Sequence, residues 1–440
     1  MTPSSRLVLH ETKRRPRTTH ELAALMGVET NVVRTQAAEL NDRLKKLLSY
    51  ERDPVEIDGS GAWRVDGVAG LLRLNDRIEI EVVPKFLDPD DESWRTDFFL
   101  LAVLVRTGHV LPLDEISADI EARGDLATLV ARALIRMHAD NGRRPIRGYT
   151  RLARSDFSFD GDVDWDSMLL PEADGFRLQG LELTRRNEHN AVLKAAIDAL
   201  LPEVAEGDTR AIMQRLSHAF GHQPKPHRAP PSLPQRHRPW SQAYSLSQFV
   251  LDGMGLKLGG GEFTGPGFVI STWAAWQSLC EEVVRRATPG DRTSFQHSFQ
   301  LGWRADGTQV DASPDIAVLR LGRTKYLLDA KYKTRQGKKP AISSTDLYEG
   351  LAFLRASKAK RITLLYPALQ GVEELPLGSW KQFDEVTVDD LRVRGIEVQV
   401  RGLARRDALM KIAGGIRMAL ERPELEGSRP SVPIAARFAT

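Results

Sequence analysis

At 440 residues, with 41% hydrophobic and 28% charged residues, the chain has the composition of a folded protein of two or three domains rather than of a disordered one. No apolar run approaches the roughly 18 residues that cross a bilayer, and the first residues lack the order of a secretory signal, so we expect a cytoplasmic protein with no membrane partner. The single cysteine, Cys280, excludes an internal disulfide and a Cys-rich zinc site, while the net charge of +3 permits a nucleic-acid partner without requiring one.

Two helices are predicted near the N-terminus, over residues 18–49. Thr18 to Glu21 has capping-box form, Gly27 interrupts the pattern, and apolar residues recur at helical spacing as far as Leu47. Such a pair is compatible with a DNA-binding helix-turn-helix. The basic residues are not confined to one helix, however, which favours a pair that packs on its own domain.

A strand is predicted from Ile78 to Val82, where apolar and acidic residues alternate before Pro84. This alternation predicts a half-buried sheet, with one face toward the core and one toward solvent. Helical periodicity returns over residues 96–139 and 186–219, around a polar segment of short strands and turns over 149–166.

Residues 221–240 are so rich in proline that we expect neither helix nor strand but a linker or a long surface loop. We predict the domain boundary there, between an α+β region over 1–220 and a second domain over 241–440. The stretch also holds three histidines. They lack acidic or cysteine partners at ligand spacing, which favours solvated side chains over a metal site.

Beyond residue 240 the pattern predicts helices over 245–254 and 271–286, strands from Phe295 onward, a further helix over 345–356 and a strand over 361–366. The phosphate-loop pattern G-x-x-x-x-G-K-[ST] occurs nowhere in the chain. We therefore expect no nucleotide hydrolysis by this polypeptide.

Three polar residues lie at the ends of apolar runs in this second domain. Asp315 precedes one run, and Asp329 and Lys331 close the next. With a hairpin turn at Gly322-Arg323, the paired residues sum to about 645, which sets Asp315 opposite Ala330. The two acids and the lysine are therefore predicted to converge.

The convergence of these residues predicts a metal-dependent nuclease site. Asp329 and Lys331 point to the same side, because side chains on a strand alternate between faces. Two neighbouring carboxylates repel each other unless a cation lies between them, and Mg²⁺, or Mn²⁺ in its place, binds one or two carboxylates together with water and phosphate oxygens. Such a cation activates water toward a phosphodiester, while Lys331 offsets the developing charge. The alternative is a buried Asp–Lys salt bridge, with Asp315 capping a turn.

Further charged residues flank this set. Glu281, on the predicted helix before the strands, is a candidate metal ligand, although a solvated helix face explains a single glutamate equally well. After the site come four basic residues that we predict to follow a DNA backbone: Lys333, Arg335, Lys338 and Lys339. A charge run after a strand is otherwise a solvated loop.

Short blocks of this sequence, in chain order, are similar to those of one protein family: Ile78–Lys85, Arg186–Asn190, Leu279–Glu281, Ser313–Ile316, Leu328–Lys333, Asp346–Glu349 and Leu365–Pro367. The family is McrC, the nuclease subunit of McrBC-type modification-dependent restriction systems within the PD-(D/E)xK superfamily. Two positions depart from its pattern. Cys280 stands where an aromatic residue is usual, and Glu349 stands where a glutamine is common.

The resemblance to McrC implies an α/β chain, α+β overall, in which an α+β N-terminal docking domain precedes a restriction-endonuclease-like core with a mixed sheet flanked by helices. It implies metal binding by Asp315, Asp329, Glu281 and the backbone carbonyl of Ala330. A separate AAA+ GTPase of McrB type would recognise modified double-stranded DNA, so that GTP acts only through this partner while the chain cuts. Two other functions stay open: a regulatory subunit that activates a partner NTPase without cutting, and a stand-alone nuclease.

Overall fold

The computed structural model describes residues 5–75, 78–87, 94–107, 126–157, 162–170, 173–204, 206–227, 231–253, 269–333, 341–369, 376–405 and 407–421. Groups of strands and groups of helices follow one another along the chain. The strands are β1 Ser5–His10, β2 Val55–Ile57, β3 Trp63–Val65, β4 Val68–Arg73, β5 Ile78–Val83, β6 Gly148–Asp156, β7 Asp162–Val163, β8 Phe176–Thr184, β9 Val269–Ser271, β10 Arg292–Phe295, β11 Phe299–Trp303, β12 Gln309–Ala312, β13 Ile316–Arg320, β14 Arg323–Ala330, β15 Arg361–Pro367, β16 Trp380–Val388 and β17 Leu391–Val398. The helices are α1 Thr18–Met26, α2 Thr30–Leu48, α3 Trp94–Thr107, α4 Leu126–Asn141, α5 Trp165–Leu169, α6 Glu188–Leu200, α7 Gly207–Phe220, α8 Ser241–Gly253, α9 Thr272–Ala287, α10 Ser344–Ser357 and α11 Ala408–Glu421.

The N-terminal sheet has the strand order β1-β5-β4-β9. The prediction that β5 is only half-buried is wrong, because all six of its residues are buried. The strand lies inside the sheet, between β1 and β4, and its acidic side chains are compensated rather than solvated. Glu81, 5% exposed, accepts a hydrogen bond of 2.6 Å from Nε of Arg95 on α3. A buried carboxylate requires such a partner.

The two predicted N-terminal helices are present as α1 and α2, and they pack on this sheet. Leu22, Val33 and Leu40 are fully buried in a core that they share with β4 and β5. The capping box is absent at Thr18: the N-cap is Arg17, and Glu21 instead binds the Arg15 guanidinium at 2.9 Å. The helical pair therefore supports its own domain.

The middle of the chain is mainly helical. Its helices α3, α4, α6, α7 and α8 share one apolar core with the C-terminal sheet. The proline-rich stretch differs from its prediction, since Gln235–Trp240 forms a 3₁₀ helix. Trp240 anchors this 3₁₀ helix, because its ring is buried and its Nε1 donates a hydrogen bond to the Arg144 carbonyl at 2.8 Å. The division of the chain at residues 221–240 stays a prediction. Elements on either side of it are in contact, since α8 packs on α6 and β9 pairs with β4.

The C-terminal sheet has the strand order β10-β13-β14-β15-β17-β16. The strands β14, β15 and β17 run parallel, and the remaining pairs are antiparallel, so the sheet is mixed. Its central strands β15 and β17 are mostly buried, including the charged Arg394 and Glu397, as expected where helices cover both faces. The sheet, flanked by α9, α10 and α11, confirms the predicted fold class.

A smaller sheet, β6-β8-β7, carries α5 at its side. We call these four elements the apolar arm, because several of their large apolar side chains face solvent: Tyr149, Phe157, Trp165, Leu169, Leu170 and Leu181, which are 61% to 83% exposed. Several exposed large apolar side chains within one small unit are a common feature of interaction surfaces. Among the described residues, no helix has the length and apolar character needed to cross a membrane.

Gly415 provides a sensitive test of how α11 docks. A Cβ at this position would lie 1.9 Å from the backbone oxygen of Gly378, whereas at Gly414 nothing lies within 4 Å. We expect Gly415→Ala to lower the free energy of unfolding by about 3 kcal/mol or more, because backbone must shift. The neighbouring Gly414→Ala is the matched control and should raise it by up to about 1 kcal/mol through helix propensity. Urea unfolding measures both, and equal stabilities for the two variants would contradict this packing.

Candidate active site

The hairpin of β13 and β14 brings the acidic residues together. Its turn is formed by Leu321 and Gly322, which have φ values of 51° and 76°. This is one position earlier than predicted, and the ladder also contains a bulge, so Ile316 pairs with Leu328 and the sum is 644 rather than 645. The predicted register was therefore wrong by one residue. A leucine with positive φ gives no turn signal in the sequence, since glycine or asparagine is the usual residue there.

Asp315 and Asp329 lie side by side at the open end of this hairpin. The Asp315 amide donates to Asp329 Oδ1 at 3.3 Å, and the Ala330 amide donates to Asp315 Oδ2 at 2.9 Å. Gln296, just after β10, holds the remaining oxygen, because its Nε2 donates to Asp315 Oδ1 at 2.6 Å. The two acids thus converge as the sequence predicted. Gln296 was missed, because an isolated polar residue between strands carries no distinguishing pattern.

Lys331 faces the same pocket as Asp329, which confirms the strand alternation. Its ammonium nitrogen lies 2.5 Å from Asp329 Oδ2 and 2.6 Å from Glu349 Oε2 on α10. Burial acts to lower the pKa of Lys331, but the negative charge of Asp329, and then that of Glu349, outweighs burial and raises it. The lysine therefore stays charged and is held between two carboxylates.

The burial of Asp329 and the charges around it change its pKa. The residue is 3% exposed. Burial, and beyond it the charge of Asp315, raises its pKa from 3.8 to about 6 although Lys331 acts in the opposite direction. Among the described residues, no donor forms a hydrogen bond of good geometry with the buried Oδ2 of Asp329. The contact of this oxygen with the Lys331 ammonium is therefore an ion pair rather than an aligned hydrogen bond.

The raised pKa of Asp329 predicts a pH-dependent cost in stability. The folded chain binds the proton of the Asp329 carboxyl more tightly than the unfolded chain does. Protonation of Asp329 therefore stabilises the fold fully below the unfolded pKa of 3.8, and this stabilisation is lost as the pH rises through about 6. One pKa unit corresponds to about 1.4 kcal/mol, which makes about 3 kcal/mol an upper bound. We therefore expect metal-free Asp329→Asn to be more stable than wild type near about pH 8 and equal to it near about pH 4. Urea unfolding in EDTA measures the difference, and a variant less stable than wild type at the higher pH would contradict this account.

Glu281 and Cys280 approach the acids from α9. Burial, and beyond it the charge of Asp315, raises the pKa of Glu281, and Gln277 counteracts this by donating a hydrogen bond of 3.0 Å. Cys280 is buried, and burial raises the pKa of its thiol well above the ordinary value, with Asp315, Glu281 and Asp329 adding to the effect. The negative charges of the site therefore act on the middle of α9.

The basic residues after the site are only partly described. Lys333 binds Asp346 Oδ1 at 2.6 Å, although half of its side chain remains exposed. The hydroxyl of Tyr366 donates to the other oxygen of Asp346 at 2.9 Å. The prediction that Lys333 contacts DNA is untested by this geometry. The predicted DNA contacts of Arg335, Lys338 and Lys339 lie outside the described residues.

The donor set suits a hard divalent cation. Within the described parts of the chain, no group of three or more His, Cys, Asp or Glu side chains is placed to hold a metal ion. Mg²⁺ does not need such a group, because it commonly binds one or two carboxylates and keeps water or phosphate oxygens as its other ligands. Asp329 Oδ2 is buried and forms an ion pair with Lys331 but no directional hydrogen bond, so together with the neighbouring Asp315 it offers a carboxylate oxygen to such an ion.

Comparisons with known proteins agree with this architecture. A chain of a refined half-complex from a tetradecameric assembly of Thermococcus gammatolerans McrB AAA+ hexamers with bound McrC is similar over 94% of this chain and 100% of its own length, with a TM-score of 0.65 and 16% identity. In the cryo-EM structure of the Thermococcus gammatolerans McrBC complex, a chain is similar over 64% of this chain and 88% of its own, with a TM-score of 0.48 and 14% identity. No curated protein matches the sequence. Residues 63–367 match the McrBC 5-methylcytosine restriction system component family, and since this range exceeds half of the 440 residues, the chain belongs to that family.

Proposed function

We propose that the chain is the Mg²⁺-dependent DNA endonuclease subunit of a McrBC-like restriction system that defends against phages. The observation that carries the proposal is the convergence of Asp315, Asp329 and Lys331 at the end of one hairpin. Membership of a restriction-system family supplies the setting for DNA hydrolysis. We also propose that it works in the cytoplasm, with double-stranded, modified DNA as its substrate.

Each residue of the site has a distinct part in this proposal. Asp315, Asp329 and the carbonyl of Ala330 would hold Mg²⁺, or Mn²⁺ in its place, and the ion would supply a polarised phosphate and an activated water. Glu281, whose carboxylate accepts a hydrogen bond from Gln277 on α9, would become a further ligand once its side chain turned toward the ion, because the described carboxylates do not form a three-ligand group as they stand. Lys331, kept charged between Asp329 and Glu349, would offset the charge that develops on the phosphate.

Binding of the basic residues to DNA completes the proposed substrate interface. Lys333, half exposed at the side of the site, would contact the phosphate backbone, together with Arg335, Lys338 and Lys339. Each such contact releases counterions, so binding should weaken as salt is raised. The contact made by Lys333 competes with its ion pair to Asp346.

The chain would act with an AAA+ GTPase of McrB type, through which alone GTP would enter the reaction. The similar half-complex contains McrB AAA+ hexamers with bound McrC, which favours this kind of partner. We propose that the apolar arm is part of the docking surface, because exposed Trp165, Leu169 and Leu170 require cover that the described chain does not provide.

The test is cleavage of methylated and unmethylated plasmid by the purified chain, with and without its cognate AAA+ GTPase and GTP. Cleavage should require Mg²⁺ and stop in EDTA. Mn²⁺ at about 100 times its dissociation constant should also stabilise the isolated chain by about 2.7 kcal/mol, a readout independent of activity. Stimulation of GTP hydrolysis by the partner without any cutting would instead favour a regulatory subunit, and cutting that needs no partner would favour a stand-alone nuclease.

A further inference from the structure

Glu11, directly after β1, is a buried carboxylate far from the acidic pair in sequence. It is 1% exposed, and its two oxygens accept four hydrogen bonds. The donors are the Gly67 amide at 3.1 Å, the Lys85 amide at 3.1 Å, the Thr272 hydroxyl at 2.7 Å and the Tyr332 hydroxyl. Such a set of donors is what allows a carboxylate to remain in the interior.

The four donors belong to separate parts of the fold. Gly67 and Lys85 lie beside strands of the N-terminal sheet, whereas Thr272 is the first residue of α9. Tyr332 is the residue after Lys331. Glu11 therefore joins the N-terminal sheet both to the helix that carries Glu281 and to the strand end that carries the lysine of the proposed nuclease site.

Lys85 strengthens the hold on Tyr332. Its ammonium nitrogen lies 3.7 Å from the centre of the Tyr332 ring and 3.3 Å from the Tyr332 carbonyl oxygen. A cation over an aromatic face is attracted by the ring, the more so when partly desolvated. Phe86 adds an edge contact, with ring centroids 5.7 Å apart.

The regular strand ends just before Lys331. The ladder of β14 with β15 stops at Ala330, and the last backbone bond runs from the Lys331 amide to the Leu365 carbonyl at 2.8 Å. Beyond it, Tyr332 is held through its side chain and carbonyl by Glu11 and Lys85. The backbone at Lys331 is thus fixed by its own bond to Leu365 and, one residue later, by the contacts of Tyr332.

We infer that Glu11 and Lys85 are positioning residues that fix Tyr332 and thereby hold Lys331 in its place at the site, so that the N-terminal sheet completes the geometry of the C-terminal one. The catalytic part of this inference rests on the proposed nuclease function. Because a displacement of about 1 Å can reduce a rate about a hundredfold, losing the anchor should lower kcat while leaving the KM for DNA unchanged.

The experiment uses the full chain with its cognate AAA+ GTPase, and compares Glu11→Gln and Tyr332→Phe with wild type. Glu81→Gln is the matched control, since Glu81 is a carboxylate of the same sheet with 5% exposure whose partner is Arg95 rather than Tyr332. Hydrogen–deuterium exchange of the amides around Lys331, thermal unfolding, kcat and KM are measured for each. Tyr332→Phe removes only a hydroxyl, so it remains informative if Glu11→Gln does not fold.

We expect faster exchange around Lys331 and a kcat lowered about tenfold to a hundredfold in both variants, with neither effect in Glu81→Gln. The double variant, Glu11→Gln with Tyr332→Phe, should have a kcat no lower than that of the more damaged single variant. Both substitutions remove the same contact, the hydrogen bond between Tyr332 and Glu11. Unchanged exchange, unchanged kcat despite faster exchange, or an equal loss in Glu81→Gln would each overturn the inference. Exchange does not require cutting, so a wild-type chain that fails to cut counts against the proposed function alone, and exchange then decides the inference.

Discussion

Replacing Lys331 with alanine should lower the rate of DNA cleavage by about a hundredfold to a thousandfold, the usual loss when one preorganised donor to a developing charge is removed. The ammonium is placed for this role by Asp329 and Glu349, at 2.5 and 2.6 Å. The measurement is single-turnover cleavage of plasmid by the chain with its partner. The loss should appear in kcat, since the lysine is expected to act in the transition state rather than in DNA binding.

The matched control for this variant is Lys325→Ala. Lys325 lies on β14, the strand that leads to Lys331, but it forms its ion pair with Asp291 at 2.8 Å and not with the acidic pair. The cleavage rate of this control should equal that of wild type. Wild-type rates in Lys331→Ala, with a folded chain and an intact complex, would remove the lysine from the proposed mechanism and favour a salt bridge of purely structural value.

Replacing Trp165 with alanine should weaken binding to the AAA+ partner by about thirtyfold or more, because a buried tryptophan at the centre of an interface typically contributes at least about 2 kcal/mol. The side chain is 76% exposed in the chain alone, so its removal should leave the folded chain stable. Leu169 and Leu170, 83% and 82% exposed, lie beside it and should show smaller losses. Titration of labelled chain with the partner measures the dissociation constants.

Trp303→Ala provides the control for a general loss of apolar surface. Trp303 is 64% exposed on β11, which pairs with β12 in a sheet separate from that of the apolar arm. We expect the partner to bind this variant as tightly as wild type. Equal losses in the two tryptophan variants, or no loss in Trp165→Ala, would place the docking surface elsewhere and leave the exposure of the arm to be explained by another partner.

The two predictions separate the proposed activities, since one variant should keep binding and lose cutting, while the other should lose binding. Lys331→Ala bound to its partner should still allow any stimulation of GTP hydrolysis that docking causes. A chain that loses both properties in either variant would indicate that the arm and the hairpin do not act as distinct surfaces.

Local pattern alone was sufficient for much of the fold. Periodicity predicted α1, α2, α9, α10 and the strands around the acids, because the spacing of apolar residues reports which side of an element is buried. The alternation of side chains likewise placed Asp329 and Lys331 on one face. The sequence also excluded a phosphate loop and a Cys-rich metal site, since both depend on residues that must be present.

Contacts between distant segments were decided only by the tertiary structure. The alternating pattern of β5 predicted a solvated face, but a central place in the sheet and the guanidinium of Arg95 bury Glu81. The hairpin register depended on a leucine with positive φ and on a bulge, neither of which has a sequence signal. Local propensity does not report such effects, because they arise from packing against other elements.

The amino-acid sequence by itself therefore determined which residues carry the proposed chemistry, Asp315, Asp329 and Lys331, because strand periodicity and one hairpin bring them together within a short stretch of chain. Only the tertiary structure decided what holds them. Gln296 and Glu349 reach the site from other elements, and Glu11 contacts Tyr332, the residue after Lys331, across 321 positions of sequence. A residue at such a distance in sequence is brought into contact by the packing of whole sheets and helices, which no local pattern encodes.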